Sequence, residues 1–303
     1  MLISLSVFFL IPFFWMLSTS LKTEHDTVVT KDQPMVWIPP APRFQNYADA
    51  FTYNAQWPPA LSSDSKPGIA SLRTKAALKS AVTNKPEAGY IPFLYYARNT
   101  LVLCWLCVVG TTISSGLVAY AFARLKFPGR EVFFALTLAT MMIPFPVLMV
   151  PTYSLFRWLG WIGSFRPLWV PAFFGSAFNI FLLRQFFRGI PFELSEAAKI
   201  DGASEWRTFL DVILPLAKPA LAVVALFTFM ATWTDFLGPL IYLMDDKTFT
   251  LSLGLQAYQS QNGGTDWNLL MAATTIVVLP VVVLFFFTQK LFIRGIALTG
   301  LKG

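Results

Sequence analysis

Six apolar stretches punctuate the chain, at 1–21, 92–122, 132–156, 167–187, 216–243 and 268–293. Crossing a hydrocarbon core of about 30 Å takes roughly 20 helical residues. The pattern therefore predicts an all-α integral membrane protein with six transmembrane helices. Pro12, Pro144, Pro146, Pro151, Pro171, Pro239 and Pro280 fall inside these stretches. A soluble helix seldom tolerates proline, whereas neighbouring spans in a bundle re-satisfy the carbonyls it frees. Two polar tracts interrupt the apolar pattern. Residues 22–91, rich in Pro, Ser, Ala and Lys, form an external loop, in which Ile69, Leu72, Ala76, Leu78 and Val82 are spaced for a short amphipathic helix over 69–82. The second tract, 193–215, mixes charged and apolar positions at helical spacing between the fourth and fifth spans.

Composition agrees with the pattern. The chain of 303 residues is 55% hydrophobic and 13% charged, whereas soluble domains carry nearer a quarter charged residues. Its net charge of +7 is a topology signal. Eleven cations lie in or beside the connections after spans two, four and six: Arg124, Lys126, Arg130, Arg184, Arg188, Lys199, Arg207, Lys218, Lys290, Arg294 and Lys302. The two short opposite loops hold only Arg157, Arg166 and Lys247. The positive-inside rule makes the first set cytoplasmic, with both termini inside. Splitting the cations among three loops leaves no single basic face for nucleic acid. Residues 1–21 lack the basic lead of a signal peptide and read as a retained span.

Enzyme chemistry lacks its parts. His25 is the sole histidine and sits in the external loop, so neither a Ser-His-Asp arrangement nor a histidine metal site can be assembled. No catalytic residue, metal site or cofactor is therefore expected on this chain. Cys104 and Cys107, both within span two, read as small apolar packing residues. On the same span Gly110, Ser114, Ser115, Ala119 and Ala123 recur at intervals that let helices approach closely. No G-x-x-x-x-G-K-[ST] phosphate loop is present, so any ATP-driven process needs a partner.

The polar tract 189–215 reads as helix, sharp turn, helix. Gly189 and Pro191 precede a first turn carrying Glu193 and Glu196, which complement exposed N–H groups and the positive end of the helix dipole. Gly202 suits the left-handed residue that ends a helix, Ser204 caps a second one, and Pro215 is expected to break it. Leu194, Ala197, Ala198, Ala203, Trp206, Phe209 and Leu210 among the charges give an amphipathic surface.

Glu196, Ala197, Ala198, Gly202, Leu214 and Pro215 have the spacing of the EAA loop, and the chain resembles ATP-binding-cassette importer permeases. Ser20-Leu21-Lys22, Asn46-Tyr47, Arg98-Asn99-Thr100, Tyr120-Ala121-Phe122-Ala123-Arg124, Phe127-Pro128-Gly129 and Gly238-Pro239-Leu240-Ile241-Tyr242 extend the resemblance to the smaller permease of maltose-type sugar systems. Val212 and Thr234 depart from the usual residues, and 52–88 looks like an insertion. Members of that branch usually carry a basic lead before the first span, so the natural N-terminus is expected to be longer. The resemblance implies a domain order of helix 1–21, external loop 22–91 and permease core 92–303, with coupling loop 189–215 and cytoplasmic tail 294–303. It implies an alternating-access carbohydrate importer of the cytoplasmic (inner) membrane. The expected partners are a second permease subunit, two ATP-binding subunits holding ATP and Mg, an external solute-binding protein, membrane lipid and a sugar. It further implies that Glu196, Ala197, Ala198, Asp201, Gly202, Leu214 and Pro215 couple the chain to the ATPase.

Two other places draw attention. If span five starts near Leu216, the 1.5 Å rise per residue puts Asp235 about 28 Å up, near the outer boundary. Trp233, Thr234, Asp235 and Phe236 then form either an aromatic belt with a wet carboxylate or the lining of an outer gate suited to sugar. The loop 256–266 concentrates hydrogen-bonding side chains. By resemblance its tip, Gln261, Asn262, Gly263 and Gly264, reaches into the binding protein; a solvated idle turn is the alternative. Other functional readings are a permease for another small solute of the same class, a proton-coupled carrier, and a non-transporting scaffold. The carrier would need several ionisable groups deep in the bundle, and the scaffold gives no reason for the EAA spacing.

Overall fold

A computed structural model describes residues 2–27, 36–52, 92–258 and 265–300. The insertion near 52–88, the amphipathic helix expected at 69–82 and the loop tip Gln261–Gly264 lie outside the described residues. Among those described, every regular element is helical. In chain order these are α1 (Leu2–Ser20), α2 (Glu24–Thr27), α3 (Gln45–Thr52), α4 (Pro92–Arg124), α5 (Arg130–Thr140), α6 (Phe145–Trp158), α7 (Arg166–Trp169) and α8 (Ala177–Gly189). They continue as α9 (Glu193–Ile200), α10 (Glu205–Leu216), α11 (Lys218–Trp233), α12 (Leu237–Tyr242), α13 (Leu251–Gly254) and α14 (Trp267–Gly300).

Among the described residues, three segments are continuous, long and apolar enough to cross a membrane: Phe93–Arg124, Arg166–Gly189 and Trp267–Gln289. Two expected spans are bent helix pairs instead. The stretch 132–156 is not one helix: α5 and α6 meet at 98°. Pro144 caps α6 with extended backbone and Pro146 lies in its first turn, and two prolines this close cannot continue the hydrogen bonds of α5. The fifth stretch likewise starts later than expected, at Lys218, where α10 and α11 are bent by 78°, and its main helix stops at Trp233.

The described chain divides into two compact units, 1–95 with 254–278, and 96–253 with 279–303. In the first, the end of α1 is held by the segment that follows it. The Asn46 amide donates to the carbonyls of Ser20 and Lys22, both at 2.8 Å, and Ser20 bonds the Tyr47 hydroxyl. These bonds satisfy carbonyls that a helix end leaves orphaned, and they explain why Ser20-Leu21-Lys22 and Asn46-Tyr47 belong together. The second unit is built on a core of Ala119, Phe122, Phe134, Ile180, Leu183, Phe187, Phe209, Ile213 and Val224. The small residues of α4 do admit a close neighbour there. A Cβ on Gly110 would lie 2.5 Å from the Phe173 ring, and Ser114 donates to the Ala172 carbonyl at 2.9 Å.

Candidate functional site

The tract 189–216 protrudes polar and apolar side chains from that second core. The first helix, α9, opens on Glu193 and Glu196 and closes on Asp201. Gly202 follows with φ +81, the Gly202 N–H bonds the Lys199 carbonyl at 3.0 Å, and the Ala203 N–H bonds Ala198 at 2.9 Å. This pair of bonds is the Schellman closure, and it needs a left-handed residue at the turn. Ser204 then caps α10, its hydroxyl accepting from the Arg207 N–H at 3.3 Å.

The second helix ends one residue past Pro215, ahead of the 78° bend into α11. It widens into a π turn over Thr208–Ile213 and runs on to Leu216. Pro215 carries no N–H for the carbonyl four residues back and its ring crowds that carbonyl, and the wider turn accommodates both. Burial supplies the reason to continue: Phe209, Ile213 and Ala217 are all core residues. Leu214 packs half-buried against the same core, while Pro215 is exposed.

The outer face of the tract is different. Glu196, Ala197, Asp201 and Gly202 are exposed and Ala198 is half-buried. Ile200 is 86% and Trp206 57% exposed, with Phe192, Leu194 and Leu210 also exposed beside charges. Exposed apolar side chains on an amphipathic helix pair, anchored from behind, are what a docking surface requires.

The anchors were not singled out from the sequence. Arg124, in the last turn of α4, is buried and donates to the carbonyls of Phe187 at 2.7 Å and Ile190 at 2.6 Å, with its guanidinium 5.5 Å from the Phe192 ring. It thereby satisfies carbonyls at the end of α8 and fixes where α9 begins. Arg184 lies over the Phe134 ring at 3.8 Å, donates to the Phe122 carbonyl and pairs with Glu131 at 3.0 Å. Across the Gly202 turn, Lys199 pairs with Glu205, and Glu205 also accepts from the Tyr120 hydroxyl at 3.0 Å. The Lys199 hydrogen bond, more than any other neighbour, holds the Glu205 carboxyl below the ordinary carboxylate range. The available signal was Tyr120 and Arg124 four residues apart at the foot of span two; their partners, more than sixty residues away, had none.

The second candidate group does not present itself as a unit. Trp233 is buried and stacked on Phe229 at 5.3 Å, and its carbonyl accepts from Ser252. Thr234 and Phe236 are exposed, with the Thr234 hydroxyl turned back to the Met230 carbonyl. Asp235 is half-buried and accepts from the Gly238 N–H at 3.1 Å, so it bridges the break and caps α12.

A family model described as the inner membrane component of binding-protein-dependent transport systems matches residues 112–298. The chain belongs to this family. The match takes in α5 to α13 whole, and with them the entire tract 189–216. Among curated relatives, the arabinooligosaccharides transport system permease protein AraQ of Halalkalibacterium halodurans is 36% identical over 72% of this chain and 76% of its own. The sn-glycerol-3-phosphate transport system permease protein UgpE of Pectobacterium atrosepticum is 37% identical over 68% and 73%. A solved bacterial ABC transporter involved in the import of the acidic polysaccharide alginate has the same fold. It matches with TM-score 0.73 at 21% identity, covering 95% of this chain and 92% of that one.

Proposed function

We propose that this chain is one transmembrane permease subunit of an ATP-driven, binding-protein-dependent carbohydrate importer working by alternating access. It has six spans in the inner membrane, counting α1 and the bent pair α5–α6 as one span each and α11 as the fifth, with α10 outside the membrane, and both termini are cytoplasmic. The observation that carries the reading is the tract 193–216, a Schellman-closed helix pair with Ile200 and Trp206 exposed in front and Phe209 and Ile213 sunk in the core behind. Glu196, Ala197, Ala198, Asp201 and Gly202 meet the ATP-binding subunit, which holds ATP and Mg, while Leu214 and Pro215 seat the pair. A second permease, two ATP-binding subunits and an external solute-binding protein complete the complex. Closure of the ATP-binding subunits draws the coupling helices together and turns the spans outward to receive substrate, and hydrolysis reverses the motion. Asp235 and Phe236 line the outer end of the pathway with Thr234, Trp233 backs them, and Gln261–Gly264 meets the binding protein.

The name of AraQ supports a sugar, and that of UgpE supports a second reading in which a phosphorylated polyol is carried by the same machinery. Purification in mild detergent tests the assignment: an ATP-binding subunit should accompany the chain, and vesicles holding the complex should take up solute only with ATP inside and binding protein outside. Purification without such a subunit would refute it. Titrating the cognate binding protein with arabino-oligosaccharide and with glycerol-3-phosphate separates the two substrates.

A further inference from the structure

We propose that Glu205 is a latch that carries movement of the coupling helices into span two, holding Lys199 on one side and Tyr120 on the other. The proposal rests on the coupling reading above and names positioning residues for it. Glu205 opens α10 directly after the turn, so one carboxylate spans both halves of the helix pair: Lys199 from α9 binds one oxygen and Tyr120 from α4 the other at 3.0 Å. The Tyr120 hydroxyl also lies 3.3 Å from the Glu205 backbone carbonyl.

Apolar packing runs parallel to this bond. Tyr120 contacts the Phe209 ring at 4.8 Å between centroids, and Phe209 contacts the exposed Trp206 at 5.8 Å. Ring contacts of this kind hold over centroid separations of about 4.5–7 Å, whereas hydrogen bonds to a carboxylate are shorter and more narrowly directional. Glu205 therefore sets the register of the helix pair on α4. One turn further along α4, Arg124 binds the carbonyls of Phe187 and Ile190. The entry to α9 and the exit from its turn are thus both referred to the same end of span two. A load applied at Ile200 or Trp206 is delivered to α4 as a rigid displacement and is not absorbed by the Gly202 turn.

Spin labels at Asp211→Cys on α10 and Ile113→Cys on α4, both exposed positions, report whether the pair and α4 move together. The measurement is made on the chain assembled with its companion permease and ATP-binding subunits. With Glu205 and Tyr120 intact, one distance should persist when ATP is added. Tyr120→Phe keeps the ring packing and removes the hydroxyl. With ATP present, a second distance, the detached state, should then be about two- to tenfold more populated than in the unmutated chain, the factor one net hydrogen bond allows. Glu205→Lys should do the same, and adding Lys199→Glu should return most of the population to the single distance. A single unshifted distance in both Tyr120→Phe and Glu205→Lys, or a charge swap that recovers nothing, would overturn the latch while leaving coupling itself intact. Loss of the ATP-binding subunit on Tyr120→Phe would make the contact merely structural and overturn it too. Failure of the unmutated chain to hold that subunit would end the coupling reading and the latch together.

Discussion

Gly202 offers the sharpest separation of folding from docking. Its φ of +81 is a conformation that L residues avoid, yet a Cβ built on it meets nothing within 4 Å. A side chain there therefore costs backbone strain alone, about 1–2 kcal/mol, or roughly a 5- to 30-fold loss of the turn's native population. Asp visits the left-handed region more readily than Ala, so Gly202→Asp should sit at the lower end of that range and Gly202→Ala at the upper. For docking the order reverses. Alanine adds one methyl to an open surface, whereas aspartate sets a second carboxylate beside the exposed Asp201 and leaves it unpaired under a covering subunit. Thermal melting in detergent should rank the unmutated chain, Asp, then Ala. Copurified ATP-binding subunit should rank the unmutated chain, Ala, then Asp. If retention of that subunit follows the melting order, Gly202 acts through folding only, and unchanged uptake in the Asp variant would refute its place on the docking face.

The other predictions are shorter. Arg124→Ala should strip two carbonyls of a buried, charge-assisted donor and cost about 2–5 kcal/mol, read as a lower melting temperature with loss of coupled uptake; parent-like melting would contradict its anchoring role. Phe209→Ala should cost about 3–5 kcal/mol by leaving a cavity in the second core, measured by the same melt. Glu205 lies outside the spans with a depressed pKa, so its contribution is complete above the ordinary carboxylate value of 4.5 and is lost as pH falls through the lower folded value. The difference between Glu205→Gln and the parent in the spin-label experiment should accordingly stay constant from about pH 8 to about pH 5; a change in that window would contradict the assignment. Asp235→Asn retains an acceptor for the Gly238 N–H and should insert normally, whereas Asp235→Ala loses the cap at about 0.5–2 kcal/mol; equal melting of the two would dismiss the cap. In sealed cells an impermeant thiol reagent should reach Ser65→Cys and miss Ser204→Cys, and the opposite result would invert the topology.

What was legible in the sequence was what neighbouring residues decide. Glu193 and Glu196 at a helix start, Gly202 past a helix end and Ser204 at the next cap each act within four residues of themselves, and the turn formed where they indicated. The break expected at Pro215 falls one residue on, after Leu216, where the chain bends by 78° into α11; burial of Phe209 and Ile213 carries α10 that far, and a π turn accommodates the proline. The stretch 132–156 was misread as one helix, since apolarity alone reports length and not the 98° bend that Pro144 and Pro146 impose. Asp235 presented itself as a lone membrane carboxylate; its partner was a backbone N–H three residues away, revealed only once the helix was known to break there. Tyr120 was quoted only as part of a familiar string, and Arg124 there and as one cytoplasmic cation among eleven, because their roles depend on carbonyls and a carboxylate brought in from 63 to 85 residues along the chain.

The central claim is that the face carrying Ile200 touches an ATP-binding subunit. Ile200 and Ile38 are comparably exposed, at 86% and 74%, and both lie outside the spans, so single cysteines at the two positions are open to a cross-linker in water. In membranes holding the assembled complex, a short membrane-permeant, thiol-specific cross-linker should join Ile200→Cys to the ATP-binding subunit, with a yield that changes on adding ATP, and should leave Ile38→Cys unattached to it. Attachment through Ile38→Cys, or none through Ile200→Cys, would contradict the account.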